Sequence, residues 1–272
     1  MEYKCIALDM DGTLLNSKLE VSDENIEAMF EADKAGKTVV LCSGRAINEV
    51  EFVVDKCPAV TYFVGESGAI IYNFKEKKLL QQKLFPKEAA YKIIECFKTM
   101  DAFMLVCVNG IACIQTDQLP KLAHYHLDAY EYTYSNLLHH EDDLVAYALA
   151  HLDQIEKMNL YFAEEESRTS AYEMLKDYNV ESVCVPPFII ENNAIGISKG
   201  DGLRNLCCLL NISLEECIMV GDSNNDLEAL KVVGCPVAMG NAPQQIKDFC
   251  KHVVSTNDEN GVKEAIETIL LK

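Results

Sequence analysis

Two aspartates stand two positions apart near the start of the chain, in the run Asp9-Met10-Asp11-Gly12-Thr13. The apolar residues before them predict a strand, and residues i and i+2 of a strand point to the same side. Both carboxylates can therefore face one cleft at the carboxyl end of the strand, where open α/β sheets bind ligands. Gly12 then lets the backbone turn sharply. Taken alone, this run is as typical of an ordinary strand-end turn as of a binding site.

A second acidic cluster, Asp222 to Asp226, follows a later apolar run and reads Asp-Ser-Asn-Asn-Asp. If the two apolar runs are strands of one sheet, they bring their carboxylates to one point. Such a site of hard oxygen ligands suits Mg²⁺, which prefers carboxylates together with water and substrate phosphate. By itself, the second cluster could equally be a helix cap rich in Asp and Asn.

A third predicted strand ends in Ser43-Gly44-Arg45, which offers a hydroxyl, a backbone N–H and a guanidinium to phosphate oxygens. Lys199 precedes a predicted helix and adds a cation where the helix dipole favours anions. Neither signal is specific alone, since an isolated lysine is usually a surface residue. Together with the two acidic clusters they favour a phosphate site.

The elements that must position these residues form an α/β pattern. Short apolar runs typical of strands buried on both faces cover residues 4–8, 37–42, 60–64 and 217–220. Between the first two, Ser22 can cap a helix that Gly36 is placed to end. Strand and helix signals alternate again from Lys199 onward. The outer parts of the chain, 1–81 and 191–272, are therefore predicted to form one doubly wound, Rossmann-like parallel-sheet domain.

The middle of the chain, residues 82–190, is too long for a crossover and is predicted to be an inserted α+β domain. We expect hinges at Phe85-Pro86 and Asn192-Asn193. Predicted strands cover residues 103–108, 111–116, 157–162 and 182–185, and predicted helices cover 87–99 and 168–178.

Composition excludes several classes of function. The chain has 272 residues, with 24 Lys and Arg against 43 Asp and Glu, for a net charge of −19. This balance argues against nucleic acid or an anionic membrane as the main partner. The apolar runs are too short to span a bilayer. The start of the chain lacks an export signal, so the protein is expected to be cytoplasmic and its 12 cysteines to be reduced. We also expect a monomer or a weak homodimer.

In sequence order, the motifs DxDGT, SGR, K and GDxxND resemble those of the haloacid dehalogenase superfamily across nearly the whole chain. The position of the insert resembles the type IIB cap of the Cof-like hydrolases, and the insert would be that cap domain. Further matches are residues 155–159 (IEKMN), 237–242 (VAMGNA) and 259–262 (ENGV). One departure is Ser67, because the subgroup usually has asparagine there.

The resemblance implies a chemical role for each motif. Asp9 would attack phosphorus to form an aspartyl-phosphate, while Asp11 would protonate the leaving oxygen and later deprotonate water. The implied metal ligands are Asp9, the backbone carbonyl of Asp11, Asp222 and Asp226, and the implied phosphate-binding residues are Ser43, Gly44, Lys199 and Asn225. Arg45 is a candidate substrate contact.

The implied function is that of a Mg²⁺-dependent phosphatase of small phosphorylated metabolites, with sugar phosphates as the first candidate substrates. Alternatives are a phosphatase of nucleotides, flavin mononucleotide or pyridoxal phosphate, a phosphomutase, and a non-catalytic regulator that binds phosphometabolites. A further hypothesis is zinc at His124 and His126 in the insert, but the sequence offers no third ligand at a typical spacing.

Overall fold

The computed structural model describes residues 2–185 and 187–272; Met1 and Pro186, which fall inside the two predicted domain ranges, lie outside this description. The strands within it are β1 (Cys5–Leu8), β2 (Thr38–Cys42), β3 (Val60–Gly65), β4 (Ile70–Asn73), β5 (Lys78–Gln82), β6 (Ala102–Val108), β7 (Ile111–Gln115), β8 (His139–Glu141), β9 (Ile155–Phe162), β10 (Glu181–Val185), β11 (Ile189–Asn193), β12 (Cys217–Gly221), β13 (Cys235–Ala238) and β14 (His252–Val253). The helices are α1 (Asp23–Lys34), α2 (Glu51–Lys56), α3 (Lys87–Phe97), α4 (Glu131–Asn136), α5 (Leu144–Ala150), α6 (Glu165–Leu175), α7 (Lys199–Leu210), α8 (Leu227–Val232), α9 (Gln244–Phe249) and α10 (Gly261–Ala265). None of these helices is long and apolar enough to cross a membrane.

The chain separates into two compact units. The first unit, the core, contains Met1–Arg45, Val50–Gln81 and Ser198–Lys272, and the second, the cap, contains Ala46–Glu49 and Gln82–Ile197. Residues 191–197, which the sequence analysis assigned to the core, cluster with the cap because β11 pairs with β9 and β10.

The short segment Ala46–Glu49 also clusters with the cap. The N–H of Ile47 donates to the carbonyl of Gly110 over 2.9 Å. The amide side chain of Asn48 donates to the carbonyl of Ala112 and accepts from its N–H, at 3.1 and 3.0 Å. The amide of Asn48 thus pairs with the backbone of Ala112 as a residue of a neighbouring strand would. The sequence does not reveal this pairing.

The core sheet has the strand order β14-β13-β12-β1-β2-β3-β4-β5. Pairing is parallel from β14 to β3 and antiparallel between β3 and β4. The strands β1, β2 and β12 are almost entirely buried, as their continuous apolar runs predict. The predicted α/β class is therefore confirmed, while β4 and β5 extend the sheet beyond the prediction.

The register of this sheet determines where the functional loops begin. Leu8 at the end of β1 is opposite Val220 on β12 and Leu41 on β2. Because these three strands are parallel, the residues that follow them emerge at the same edge of the sheet. Asp9 and Ser43 follow these strand ends directly.

Two helix caps fit the sequence pattern. Ser22 accepts a hydrogen bond from the N–H of Asn25 and caps α1, as predicted, and Gly36 follows the helix end with φ of 73°. Ser198 caps α7 in the same way by accepting from the N–H of Asp201. This second cap makes Lys199 the first residue of its helix.

The cap sheet has the order β10-β11-β9-β6-β7-β8. Residues from α3, α5 and α6 pack in a single apolar cluster with one face of the sheet, including Ile93, Leu144 and Leu160. A second cluster on the other face includes Phe103, Tyr134 and Tyr161. The insert is therefore an α+β unit, as predicted, with an irregular 3₁₀ segment at Thr116–Tyr125 over part of its second face.

The positions predicted as hinges, Phe85-Pro86 and Asn192-Asn193, lie inside the cap unit and not at its boundaries. The N–H of Phe85 donates to the carbonyl of Ile155, which ties the first position to β9. Asn192 lies in β11 and its side chain donates to the carbonyl of Met158 over 3.1 Å. Both positions are therefore fixed by pairing within the cap.

A buried carboxyl in β9 gives the cap a pH-dependent stability. Glu156 is fully buried, and its Oε1 accepts from the Nε2 of Gln82 and the N–H of Gly110, at 2.5 and 3.0 Å. Its Oε2 has no hydrogen-bond partner among the described residues. Burial raises the pKa of Glu156 to about 7, although these hydrogen bonds oppose the shift. The carboxyl binds a proton more tightly in the folded than in the unfolded chain, so stability falls as pH rises toward 7.

We therefore expect Glu156→Gln, which is neutral and keeps an acceptor oxygen, to raise the free energy of unfolding by about 3 kcal/mol near pH 8. Near pH 5 the gain should shrink to below about 1 kcal/mol, because the wild-type carboxyl is then protonated in the folded state. Urea unfolding at both pH values measures the difference. The exposed control Glu166→Gln should change stability equally at both. An equal effect of Glu156→Gln at the two pH values would contradict the prediction.

Candidate active site

Asp9 forms the centre of the acidic cluster at the carboxyl edge of the core sheet. Its side chain is almost fully buried, and its Oδ1 lies 2.5 Å from the Nζ of Lys199. The same Nζ lies 2.6 Å from the Oδ1 of Asp226. Burial raises the pKa of Asp9 to about 7 against the opposing charge of Lys199. Burial also disfavours the ammonium, but the carboxylates of Asp9 and Asp226 together raise the pKa of Lys199.

Asp222 and Asp226 are held by their own loop. The Oδ2 of Asp226 accepts from the backbone N–H groups of Asp222 and Ser223, both at 3.1 Å. The hydroxyl of Thr13 donates to the Oδ1 of Asp222 over 3.0 Å. Burial raises the pKa of Asp222, and the hydrogen bond from Thr13 opposes this shift.

Gly12 permits the close approach of the two acidic loops. Its φ is 78°, and an ideally placed Cβ there would lie 2.6 Å from the Oδ2 of Asp222. Any larger residue would therefore displace Asp222 as well as strain the turn.

The carboxylates of Asp9, Asp222 and Asp226 fit a divalent metal. Each offers an oxygen within 4.8 Å of the others, and no second cluster of this kind occurs in residues 2–185 and 187–272. Hard oxygen ligands of this type suit Mg²⁺. A cation at this point would also favour the ionised forms of Asp9 and Asp222, whose pKa values burial raises.

Asp11 and Arg45 form an ion pair at this edge. The Nε and Nη2 of Arg45 donate to Oδ2 and Oδ1 of Asp11, at 2.9 and 2.6 Å. Asp11 is about half exposed, whereas the Arg45 side chain is largely covered. Arg45, the predicted substrate contact, is thus paired with Asp11, the predicted acid and base. The sequence did not predict this pairing.

The loop after β2 is held by the loop after β3. The N–H groups of Glu66 and Ser67 donate to the carbonyls of Arg45 and Ser43, at 2.9 and 3.1 Å. Ser43 is buried, and its hydroxyl accepts from the N–H of Arg45 over 3.3 Å. Gly44 follows it in the same loop and is half-buried. Ser67 has φ of 60°, a left-handed backbone conformation that asparagine adopts more readily than most residues. This conformation explains why the subgroup usually has asparagine at this position.

Asn225 is an exposed residue of the acidic loop, and its Oδ1 accepts from the hydroxyl of Ser223 over 2.6 Å. Two supporting residues had no role in the sequence analysis. Thr13 orients Asp222, and the Nδ2 of Asn241 donates to the carbonyl of Gly12 over 2.8 Å. Thr13 lies in the DxDGT motif and Asn241 in the motif at residues 237–242, so their position in a motif was the signal in the sequence.

The cap histidines make other contacts than a zinc site requires. The Nε2 of His126 hydrogen-bonds the carbonyl of Ala163 over 3.0 Å, and its ring stacks on Phe188 with centroids 3.7 Å apart. His124 lies 3.6 Å from a carboxylate oxygen of Asp101. This geometry gives no support to the zinc hypothesis.

The chain is similar to known proteins along nearly its whole length. The family described as haloacid dehalogenase-like hydrolase matches residues 6–266. The phosphatase YwpJ of Bacillus subtilis is 30% identical, with 98% of this chain and 100% of that protein covered. The 5-amino-6-(5-phospho-D-ribitylamino)uracil phosphatase YwtE of the same organism is 29% identical, with 98% of both covered. A haloacid dehalogenase-like hydrolase structure from Bacteroides thetaiotaomicron is 26% identical with a TM-score of 0.85, covering 98% of this chain and 100% of that one.

Proposed function

We propose that this chain, which belongs to the haloacid dehalogenase-like hydrolases and is a phosphatase, has a type IIB cap and depends on Mg²⁺. Its proposed substrates are small phosphorylated metabolites, with sugar phosphates as the first candidates. The observation that carries the proposal is the group of Asp9, Asp222, Asp226 and Lys199 at one edge of the sheet. It combines a nucleophile, a metal site and a fixed cation.

Asp9 is the proposed nucleophile. Its carboxylate oxygen forms a bond to phosphorus while the bond from phosphorus to the ester oxygen breaks, and Asp11 gives its proton to the departing alcohol. Asp11 then takes a proton from water as that water attacks the phosphorus of the aspartyl-phosphate. Asp9 is released with inorganic phosphate. The half-exposed position of Asp11 gives its carboxyl access to water in the second step.

Mg²⁺ would be held by the side chains of Asp9, Asp222 and Asp226 and by the backbone carbonyl of Asp11. When bound, it supplies positive charge to the phosphoryl oxygens. The hydroxyl of Thr13 keeps Asp222 oriented for this role.

The proposed phosphate-binding groups are Ser43, Gly44, Lys199 and Asn225. Lys199 is nearly fully buried, so its charge acts in a medium of low dielectric constant and is weakly screened. The buried hydroxyl of Ser43 is a neutral donor on the neighbouring loop. Groups fixed in advance stabilise growing negative charge without reorganisation in the reaction.

The proposed substrate class is a monoester of a polyhydroxy compound. YwtE is named for a phosphate on a ribityl chain, which supports this class. Nucleotides, flavin mononucleotide and pyridoxal phosphate remain alternatives, and a phosphomutase would pass the phosphoryl group to a sugar instead of to water. The presence of Asp9, Asp11, Asp222 and Lys199 together favours catalysis over a non-catalytic regulator.

Metal removal tests the proposal. We expect treatment with EDTA to lower hydrolysis of 4-nitrophenyl phosphate by at least about 100-fold, because the carboxylates alone repel the phosphate dianion. Added Mg²⁺ should restore the rate. Release of inorganic phosphate from a hexose phosphate, measured in parallel, distinguishes hydrolysis from transfer to a second hydroxyl. An undiminished rate after EDTA treatment would remove the metal site from the proposal.

A further inference from the structure

Two asparagines from the last part of the core hold the backbone of the loop that carries Asp11. This loop, residues 9–17, follows β1 and is called the β1 loop below. The Nδ2 of Asn241 donates to the carbonyl of Gly12 over 2.8 Å. The Nδ2 of Asn257 donates to the carbonyl of Leu15 over 2.9 Å. Side chains that are distant in sequence therefore fix two backbone groups of the β1 loop.

The two asparagines are joined to each other and form one unit. The Oδ1 of Asn241 accepts from the backbone N–H of Asn257 over 3.1 Å, so both ends of the Asn241 amide are used. The next residue, Asp258, adds a third contact to the β1 loop, because its Oδ1 accepts from the N–H of Ser17 over 2.8 Å. We call Asn241, Asn257 and Asp258 the loop clamp.

Two glycines allow the segments that carry the loop clamp to pack closely together. An ideally placed Cβ at Gly240 would lie 2.9 Å from the backbone nitrogen of Thr256, and one at Gly261 would lie 2.2 Å from the carbonyl oxygen of Ser255. Larger residues would push the segments apart, because a folded core has no room for such overlaps. Each glycine lies in one of the two C-terminal sequence motifs, VAMGNA and ENGV. Both motifs thus contribute to the support of the loop clamp.

The groups held by the loop clamp are neighbours of Asp11. Gly12 follows Asp11 directly and makes the turn with φ of 78°, so a fixed carbonyl at Gly12 fixes this turn. Leu15 forms an isolated β-bridge with Asp11. The ion pair with Arg45 holds the end of the Asp11 side chain, whereas the loop clamp holds the backbone that carries it.

We propose that Asn241 and Asn257 are positioning residues that keep the carboxyl of Asp11 in place for proton transfer to the leaving group. This inference rests on the proposed phosphatase function, in which Asp11 protonates the departing alcohol. As the bond from phosphorus to the ester oxygen breaks, its electron pair passes to that oxygen, and the proton of Asp11 goes to the same atom. A displacement of about 1 Å can slow such a step about 100-fold, so a fixed backbone matters here.

Two kinds of ester separate proton transfer from the rest of the reaction. 4-Nitrophenyl phosphate releases a phenolate that is stable without a proton, whereas glucose 6-phosphate and ribose 5-phosphate release an alkoxide that needs one. The measured quantity is kcat/KM, by phosphate release, for the full chain with saturating Mg²⁺. It covers the steps up to departure of the alcohol. The sugar phosphate used is the one of the two that the wild type hydrolyses faster.

Asn241→Ala and Asn257→Ala should each lower kcat/KM for the sugar phosphate by about 10- to 100-fold, but for 4-nitrophenyl phosphate by about threefold or less. The midpoint of thermal unfolding should fall by at most about 4 °C, since neither asparagine is buried. The control Gln244→Ala removes an exposed amide that donates to Asp248 within α9, outside the loop clamp. It should change neither ester.

The results distinguish failure of the positioning role from failure of the proposed function. If the wild type hydrolyses neither kind of ester, the proposed function fails, and the positioning role fails with it. If the wild type hydrolyses both and the alanine variants lower both equally or leave both unchanged, the phosphatase function stands and the positioning role is refuted. A loss confined mainly to the sugar phosphate supports positioning of Asp11 by Asn241 and Asn257.

Discussion

Asp9→Asn is expected to abolish phosphatase turnover while the fold stays intact. The amide has nearly the same shape as the carboxylate but cannot form the bond to phosphorus, so kcat should fall by a factor on the order of 10⁴ or more. Burial already raises the pKa of Asp9 to about 7, so a neutral side chain is tolerated at this position. The midpoint of metal-free thermal unfolding should therefore stay at or above that of the wild type.

The measurement is phosphate release from 4-nitrophenyl phosphate and from a sugar phosphate under saturating Mg²⁺. Asp23→Asn, on the exposed first turn of α1, is the matched control and should keep wild-type rates. In the wild type, rapid acid quenching and peptide mass spectrometry should find a phosphoryl group on the peptide that contains Asp9. Wild-type-like turnover of Asp9→Asn would refute the assignment of the nucleophile.

The parts of the fold that the sequence predicts are those where apolar pattern and burial agree. The strands β1, β2, β3 and β12 lie within a residue or two of their predicted positions because each is a continuous apolar run. β5 was missed because its sequence, KLLQQ, is largely half-exposed and lacks β-branched residues. β11 was missed because its two asparagines resemble a loop, although pairing with β9 and β10 keeps them extended.

Some features of the candidate site could likewise be predicted from the sequence, and others could not. The motif residues Asp9, Asp222 and Asp226 come together because parallel strands end at one edge. The ion pair of Arg45 with Asp11 depends on side-chain direction, which spacing along the chain does not reveal. Sequence patterns specify which loops meet, whereas the contacts between side chains depend on the packing around those loops.

Substitution of Lys199 is expected to have the second large effect on activity and stability, because its buried ammonium compensates two buried carboxylates. Its Nζ lies 2.5 Å from Asp9 and 2.6 Å from Asp226, and its side chain is 2% exposed. Lys199→Met keeps the length of the side chain but removes the charge. We expect kcat to fall by a factor on the order of 10³, since a fixed cation for the phosphoryl oxygens is lost.

The same substitution should make the stability of the metal-free protein depend more strongly on pH. Without the ammonium, the pKa of Asp9 rises further above its unfolded value, so stability is kept at low pH and lost as pH rises. In EDTA, we expect Lys199→Met to lower the free energy of unfolding by about 3 kcal/mol near pH 8 and by clearly less near pH 5. Urea unfolding measures both, with the exposed Lys231→Met as control. A loss of equal size at the two pH values would mean that Lys199 contributes packing instead of charge compensation.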